Sequence, residues 1–264
     1  QIVSTFGWHT HLLSTYAYLP ELTSDQRTLN HINVISNVFT FLFQILFIIS
    51  VVVIGTVMDA NDNEYKLNEI AMILVCVLGG GMYANVRLRH MKDRPRSQEK
   101  KEGESYFKLA FNRLHKTYKS LDEESKPGFT YFYVSVAFAE SATVGFVSLS
   151  VTFCNEVLKL SSAETAMTFL IVMICAVPGS YIFGRFTNWF GFVDSYAWST
   201  VWWGFWTTCA PLFVTENTKH FVFLFSAMWG LGFGWIFVVQ RGLYCSMIPA
   251  GQEGELMGLY IFSG

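Results

Sequence analysis

The chain has 264 residues, of which 52% are apolar and 14% charged, and its formal net charge is −2. A soluble domain carries nearer a quarter charged residues, so the composition excludes an ordinary water-soluble globule. The near-neutral balance offers no basis for a nucleic-acid partner. The charges are also segregated. Uncharged runs cover Gln1–Pro20, Ile32–Met58, Ile70–Val86, Thr165–Gly184, Ser195–Thr215 and Phe221–Gln240, and Pro127–Asn155 is broken only by Glu140. A helix crossing a bilayer needs roughly 17–25 apolar residues. The predicted fold is an all-α polytopic membrane protein with six complete spans and a partial span at either end. Gln1 instead of a start methionine, and an apolar run only opening at Leu256, predict a piece of a longer chain.

In chain order, the first run closes on Tyr18-Leu19-Pro20-Glu21. Its His9 and His11 are two apart, on different helix faces, so no zinc pair is expected. The run Ile32–Met58 carries Asn37 and Gln44, seven apart and hence on one face. They suit hydrogen bonding to a solute carboxylate or amide, and equally interhelical contact. The acidic stretch Asp59–Glu69 separates it from Ile70–Val86, where Gly79, Gly80 and Gly81 mark a flexible or closely packed point.

The long polar stretch Arg87–Lys126 has two parts. A linker with Pro95 comes first. Glu104–Leu121 then repeats Phe107, Ala110, Phe111, Leu114, Tyr118 and Leu121 at helical spacing against Lys108, Arg113, Lys116 and Lys119. That pattern predicts a basic amphipathic helix at a headgroup boundary, or a solvated charged helix. With alternating loops, only Lys66, Lys159 and Lys219 of the 18 Lys and Arg residues fall on the side opposite this stretch. Cationic loops mark the cytoplasm, so 87–128 is expected to be cytoplasmic.

Past the loop, Glu140 is the only acid inside a full span, beside Ser141 and Thr143. A carboxylate in lipid is costly and is by default a functional hypothesis. It suits a substrate amine or a proton, or it serves as a structural partner for an arginine or backbone on another span. Trp198, Trp202 and Trp206 share a face at four-residue spacing, which suits packing or a stacking wall. Gly230 and Gly234 form a Gly-x-x-x-Gly pair that permits close helix approach. Gln240 and Arg241 end the next run, with Glu253 and Glu255 just across a turn containing Pro249. A gating ion pair, or a simple topology anchor, fits there. The five cysteines form no Cys-x-x-Cys pair and are expected to be small buried apolar groups. No nucleotide-binding, zinc-protease or nucleophile-elbow motif occurs. No metal or cofactor is expected, and the chain is not expected to be an enzyme.

Two spans, a basic central loop, then four or more spans resembles the middle of a twelve-span major facilitator superfamily transporter, two six-helix bundles joined by a cytoplasmic loop. On that layout residues 1–86 end the N-terminal bundle, 87–128 are the linker, and 129–264 run from span seven to the start of span eleven. The stretch from Gln240-Arg241 through Ile248-Pro249 to Glu253, Glu255, Gly258, Leu259 and Tyr260 is similar to the autophagy-related vacuolar effluxer family. In that family span ten ends in Ser-Arg-Ser, and a Gly-x-Glu-x-Glu-Phe-Phe-Gly-Leu-Tyr box opens span eleven. Here Gln240 and Gly242 flank the arginine, and Leu256-Met257 replace the phenylalanines. Gly179 to Gly191 resembles the facilitator gating motif, with Gly184, Arg185 and Gly191 retained and Asn188 where aspartate is usual. A plain basic loop end is the other reading. The resemblance implies a secondary transporter of small polar solutes, amino acids first, in a vacuolar or other endomembrane, with lipid and solute as partners and protons as a candidate coupling ion. The rival readings are a non-transporting receptor or scaffold, a sugar, nucleoside or peptide cargo, and a plasma-membrane location.

Overall fold

The computed structural model describes residues 16–23, 25–58, 64–89, 128–248 and 252–263, with isolated positions between 105 and 119. Among them there is no strand. The helices are α1 (Leu19–Leu22), α2 (Gln26–Val57), α3 (Glu64–Leu74), α4 (Gly80–Arg89), α5 (Phe129–Thr152), α6 (Ser162–Phe213), α7 (Phe221–Met247) and α8 (Glu253–Ser263). A π-helical turn, Val75–Gly79, joins α3 to α4, and another, Phe153–Val157, ends α5. Five helical stretches are long and apolar enough to cross a membrane: Gln26–Val57, Glu69–Arg89, Phe129–Val157, Glu164–Phe213 and Phe221–Met247. The protein is an all-α polytopic membrane protein.

Local sequence explains the helix ends. Asp25 accepts from Thr28 N at 2.9 Å and from the Thr28 hydroxyl at 2.6 Å, which caps α2. These bonds hold its carboxyl below the usual aspartate range. Ser161 and Glu164 form a reciprocal capping box at the start of α6, satisfying two backbone donors that the first turn leaves unpaired. At 52 residues, α6 would be about 78 Å long if straight, more than twice the hydrocarbon thickness. Gly191, at φ 82° and ψ 170°, breaks it, so 162–190 and 192–213 are two crossings. Among the described residues this makes six stretches of crossing length.

Two boundaries differ from the sequence expectation. No polar loop follows Gly184, because the helix carries the charged residue Arg185 onward and turns only at Gly191. Likewise α7 does not end at Gln240-Arg241 but continues to Met247. Arg241 therefore lies about 9 Å inside the helix end. Charge marks where a chain nears water, but an arginine with buried partners keeps a helix going.

By contacts the chain forms two compact units, Gln1–Phe41 with Lys101–Gly264, and Leu42–Lys100. In the smaller unit, residues 42–57 of α2 expose Leu42, Phe43, Leu46, Ile49, Val52 and Val53. Ser50 and Thr56 return their hydroxyls to the carbonyls of Leu46 and Val52, the internal satisfaction that lipid demands. Gly79, Gly80 and Gly81 have open space where a Cβ would stand, so they are not a close-packing point. The predicted linker, most of the predicted amphipathic helix and residues 59–63 of the acidic loop lie outside the described residues, and the rest of that loop, 64–69, is helical.

The larger unit is built on the seam between α6 and α7. A Cβ on Gly179 would meet Leu231 backbone, one on Gly230 would meet Val172 and Cys175, and one on Gly234 would meet Ala176 and Ser180 backbone. The two helices thus touch backbone to backbone, as the Gly-x-x-x-Gly spacing predicts. Trp202 donates to Met228 O at 3.0 Å and Trp206 packs on Phe225, whereas Trp198 is exposed. At one end of the unit Cys154, Leu158, Leu160, Ala210, Val214, Val222 and Phe225 form an apolar cluster. At the other, Ala17, Leu19, Leu29, Phe129, Tyr244, Cys245, Leu256 and Met257 form a second.

Candidate functional site

Among the described residues the buried amide and guanidinium side chains, Asn30, Asn33, Asn37, Gln240 and Arg241, lie toward the Met247 end of α7. The stripe begins on α2. Asn30, Asn33 and Asn37 recur at helical spacing, and all are buried together with Val34 and Phe41. Asn30 donates to Gly184 O at 2.7 Å and to Asn188 Oδ1 at 2.8 Å. Asn33 donates to Val238 O at 2.5 Å. Asn37 donates to Ser180 Oγ at 2.9 Å and Gly234 O at 3.4 Å. An asparagine amide can reach a helical carbonyl that already accepts a backbone bond, since a carbonyl has two lone pairs. The stripe thereby fastens α2 to both α6 and α7 without any charge.

Arg241 stands beside this stripe and is 8% exposed. Its Nη1 donates to Asn33 Oδ1 at 3.4 Å and its Nη2 to the Tyr16 hydroxyl at 2.9 Å. The guanidinium also lies over the Tyr16 ring, 4.0 Å from the centroid, a cation–π contact. One residue earlier, Gln240 donates from Nε2 to Glu140 Oε1 at 2.7 Å and to the Tyr260 hydroxyl at 3.2 Å. Tyr260 is within electrostatic reach of Glu140, Arg241 and Tyr16. Six side chains, from α2, α5, α7 and α8 together with Tyr16 ahead of α1, thus share one polar neighbourhood.

Most predicted residues can be placed. Glu140, Gln240 and Arg241 come together, with Asn37 further along the stripe. Ser141 is exposed. Thr143 bonds back to Ala139 O and lines a cavity of about 260 Å³ with Ala139, Phe146, Trp203, Thr207 and Ile236. Trp203 Nε1 and Thr207 Oγ1 are buried there without a hydrogen-bond partner, so the space suits ordered water or the body of a small solute. Gln44 is exposed and belongs to the smaller unit.

In the gating motif, Gly184 faces Val34 so closely that a Cβ would overlap its Cγ2. Arg185 is exposed and lies 6.0 Å over Tyr181, Asn188 pairs with Asn30, and Gly191 makes the turn. The neutral Asn188 therefore contacts another neutral amide rather than a charge. Glu253 opens α8. The Glu255 side chain lies outside the described residues. Among the described residues Arg241, predicted to pair with these acids, bonds Asn33 and Tyr16. Sequence reasoning missed Asn30, Asn33, Tyr16 and Tyr260. The Asn30, Asn33, Asn37 spacing was the available signal, obscured because Asn30 falls where the chain reads as polar loop and Asn33 only one residue into the apolar run.

Apolar crossings around a charged and amide cluster, with a glycine turn at Gly191 between two of them, fit a polytopic transporter of the major facilitator type. A family model described as "Vacuole effluxer Atg22 like" matches residues 15–264. The chain belongs to that family. No curated protein and no solved structure matches it.

Proposed function

We propose that this chain is part of a secondary transporter that moves small polar solutes, amino acids first, out of a vacuole- or lysosome-like compartment by alternating access. The observation that carries the reading is Glu140, a half-buried carboxylate within a membrane-spanning helix, bonded to Gln240 next to the buried cation Arg241. Opposite charges held in lipid are costly, and a solute bearing both an amine and a carboxylate offers each a partner. Glu140 takes the solute amine. It is also the group through which a proton gradient couples.

The stripe of Asn30, Asn33 and Asn37 with Gly184, Asn188 and Gly191 forms the gate. Neutral amide bonds of this kind are individually weak in membranes, about 0.6 kcal/mol on average, which suits a contact that must open and close every cycle. Residues 1–86 end the first bundle, 87–128 form the cytoplasmic linker, and 129–264 belong to the second bundle. The cationic bias of 87–128 sets this orientation.

The test is flux in proteoliposomes. Preloaded amino acid should leave in a protein-dependent, saturable way, faster under an imposed pH gradient. Glu140→Gln should cut that flux at least tenfold while the protein stays folded. Parent-like flux in Glu140→Gln would remove Glu140 from the mechanism, and no flux of any solute would favour a scaffold.

A further inference from the structure

Arg241 has an unusual set of partners. Its guanidinium is buried within a span, yet every group holding it is neutral: the Asn33 amide oxygen, the Tyr16 hydroxyl and the Tyr16 ring. Among the described residues no carboxylate lies within ion-pair distance of it. The one acid embedded nearby, Glu140, is engaged by Gln240 instead. Of five N–H donors, two are used, and one of those bonds is long at 3.4 Å. A buried cation whose direct partners among the described residues are all neutral is costly unless an anion reaches it. The planar guanidinium fork is matched to a carboxylate, which it binds with two parallel bonds.

We propose that Arg241 is an anion subsite that takes the carboxylate of the transported solute, with Tyr16 covering one face of the guanidinium. This rests on the proposed transport role of the same neighbourhood, in which Glu140 takes the amine. It goes further by assigning the second charge and by excluding cargo that has no anionic group. It also links binding to the gate. A carboxylate arriving at Arg241 displaces the weakest partner, Asn33 Oδ1, and so loosens α7 from the asparagine stripe of α2.

The experiment uses the full-length protein in proteoliposomes, with labelled L-alanine efflux competed by L-alaninamide, which lacks the carboxylate, and by N-acetyl-L-alanine, which lacks the amine. In the parent, N-acetyl-L-alanine should inhibit at least tenfold more potently than alaninamide. In Arg241→Gln that preference should vanish, and in Arg241→Lys it should return in part. In parallel, acetate should raise the unfolding temperature of the parent in detergent and leave that of Arg241→Gln unchanged.

Equal inhibition by both analogues in the parent overturns the proposal, whether or not any variant folds. So does a parent that neither moves alanine nor is stabilised by acetate. If the carboxylate preference holds while Glu140→Gln transports normally, the amine assignment falls and the anion subsite stands.

Discussion

The two ends of the α5, α6 and α7 bundle are closed by different chemistry. At the end where α5 passes to α6 and α6 to α7, an apolar cluster built on Leu158, Val214, Val222 and Phe225 fills the interior. The ionic contacts there, Lys159 with Glu216 at 2.8 Å and Lys219 with Glu164 at 3.5 Å, are exposed. At the other end an apolar cluster that includes Phe129, Leu256 and Met257 lies beside polar contacts made by Asn30, Asn33, Gln240, Arg241 and the half-buried Glu140. Apolar packing offers no alternative partner of equal quality, so the first end stays packed. Amide, phenol and guanidinium groups can exchange one partner for water or solute at little net cost. A bundle whose second end adds exchangeable bonds to its packing has contacts there that can change partners without unfolding the first.

The sharpest break of this picture is to pry apart the seam that joins the ends. Gly234→Val places side-chain atoms into Ala176 and Ser180 backbone. Overpacking costs about 1–3 kcal/mol, more where backbone must yield, so most of the protein should be lost from the monodisperse peak in detergent. Gly204→Ala, with open space at its Cβ, should be silent. Equal stability of the two variants would refute the backbone contact. Next in size is Leu158→Ala, a side chain 1% exposed in the packed end. Its loss should cost about 2–4 kcal/mol, read as a lower unfolding temperature, with flux per folded molecule unchanged.

At the exchangeable end the same kind of substitution should separate stability from function. Asn33→Ala removes the bond to Val238 O and the contact to Arg241. Membrane hydrogen bonds of this kind reach at most about 1.7 kcal/mol, so the unfolding temperature should fall less than for Leu158→Ala. Flux per folded molecule should nonetheless change severalfold, because the contact is part of the gate. A variant that is destabilised but transports normally would reduce the stripe to helix glue.

What was legible in the sequence follows the same division. Lipid exposure needs only long uncharged runs, and the six crossings are visible in them. The α6–α7 seam was visible too, since Gly230 and Gly234 have few other uses in an apolar helix. Glu140 and Arg241 stood out because charge is rare there. Their partners did not, because Asn30, Asn33 and Tyr16 are ordinary residues until tertiary contact places them beside Gly184 O, Val238 O and the guanidinium. Arg241 was read as closing its helix because a charged residue normally marks the interface. Its burial depends on side chains more than 200 positions away.

The smallest expected effect lies in the exposed ion pairs. Lys159→Met removes the bond to Glu216. The lysine holds the Glu216 carboxyl below the usual glutamate range, and the carboxylate holds the Lys159 amine above its usual range. A lowered carboxyl value stabilises the fold above the ordinary glutamate range, and this is lost as pH falls through the lowered value. A raised amine value stabilises below the ordinary lysine range, and this is lost as pH rises through the raised value. The pair thus contributes only between those limits, and both groups are fully exposed, so little is expected. Lys159→Met should lower the unfolding temperature slightly at neutral pH. It should have no effect in strong acid or in about 1 M salt, where screening acts over roughly 3 Å. If the variant instead lost as much stability as Leu158→Ala, or kept its deficit at high salt, the packed end would depend on charge after all.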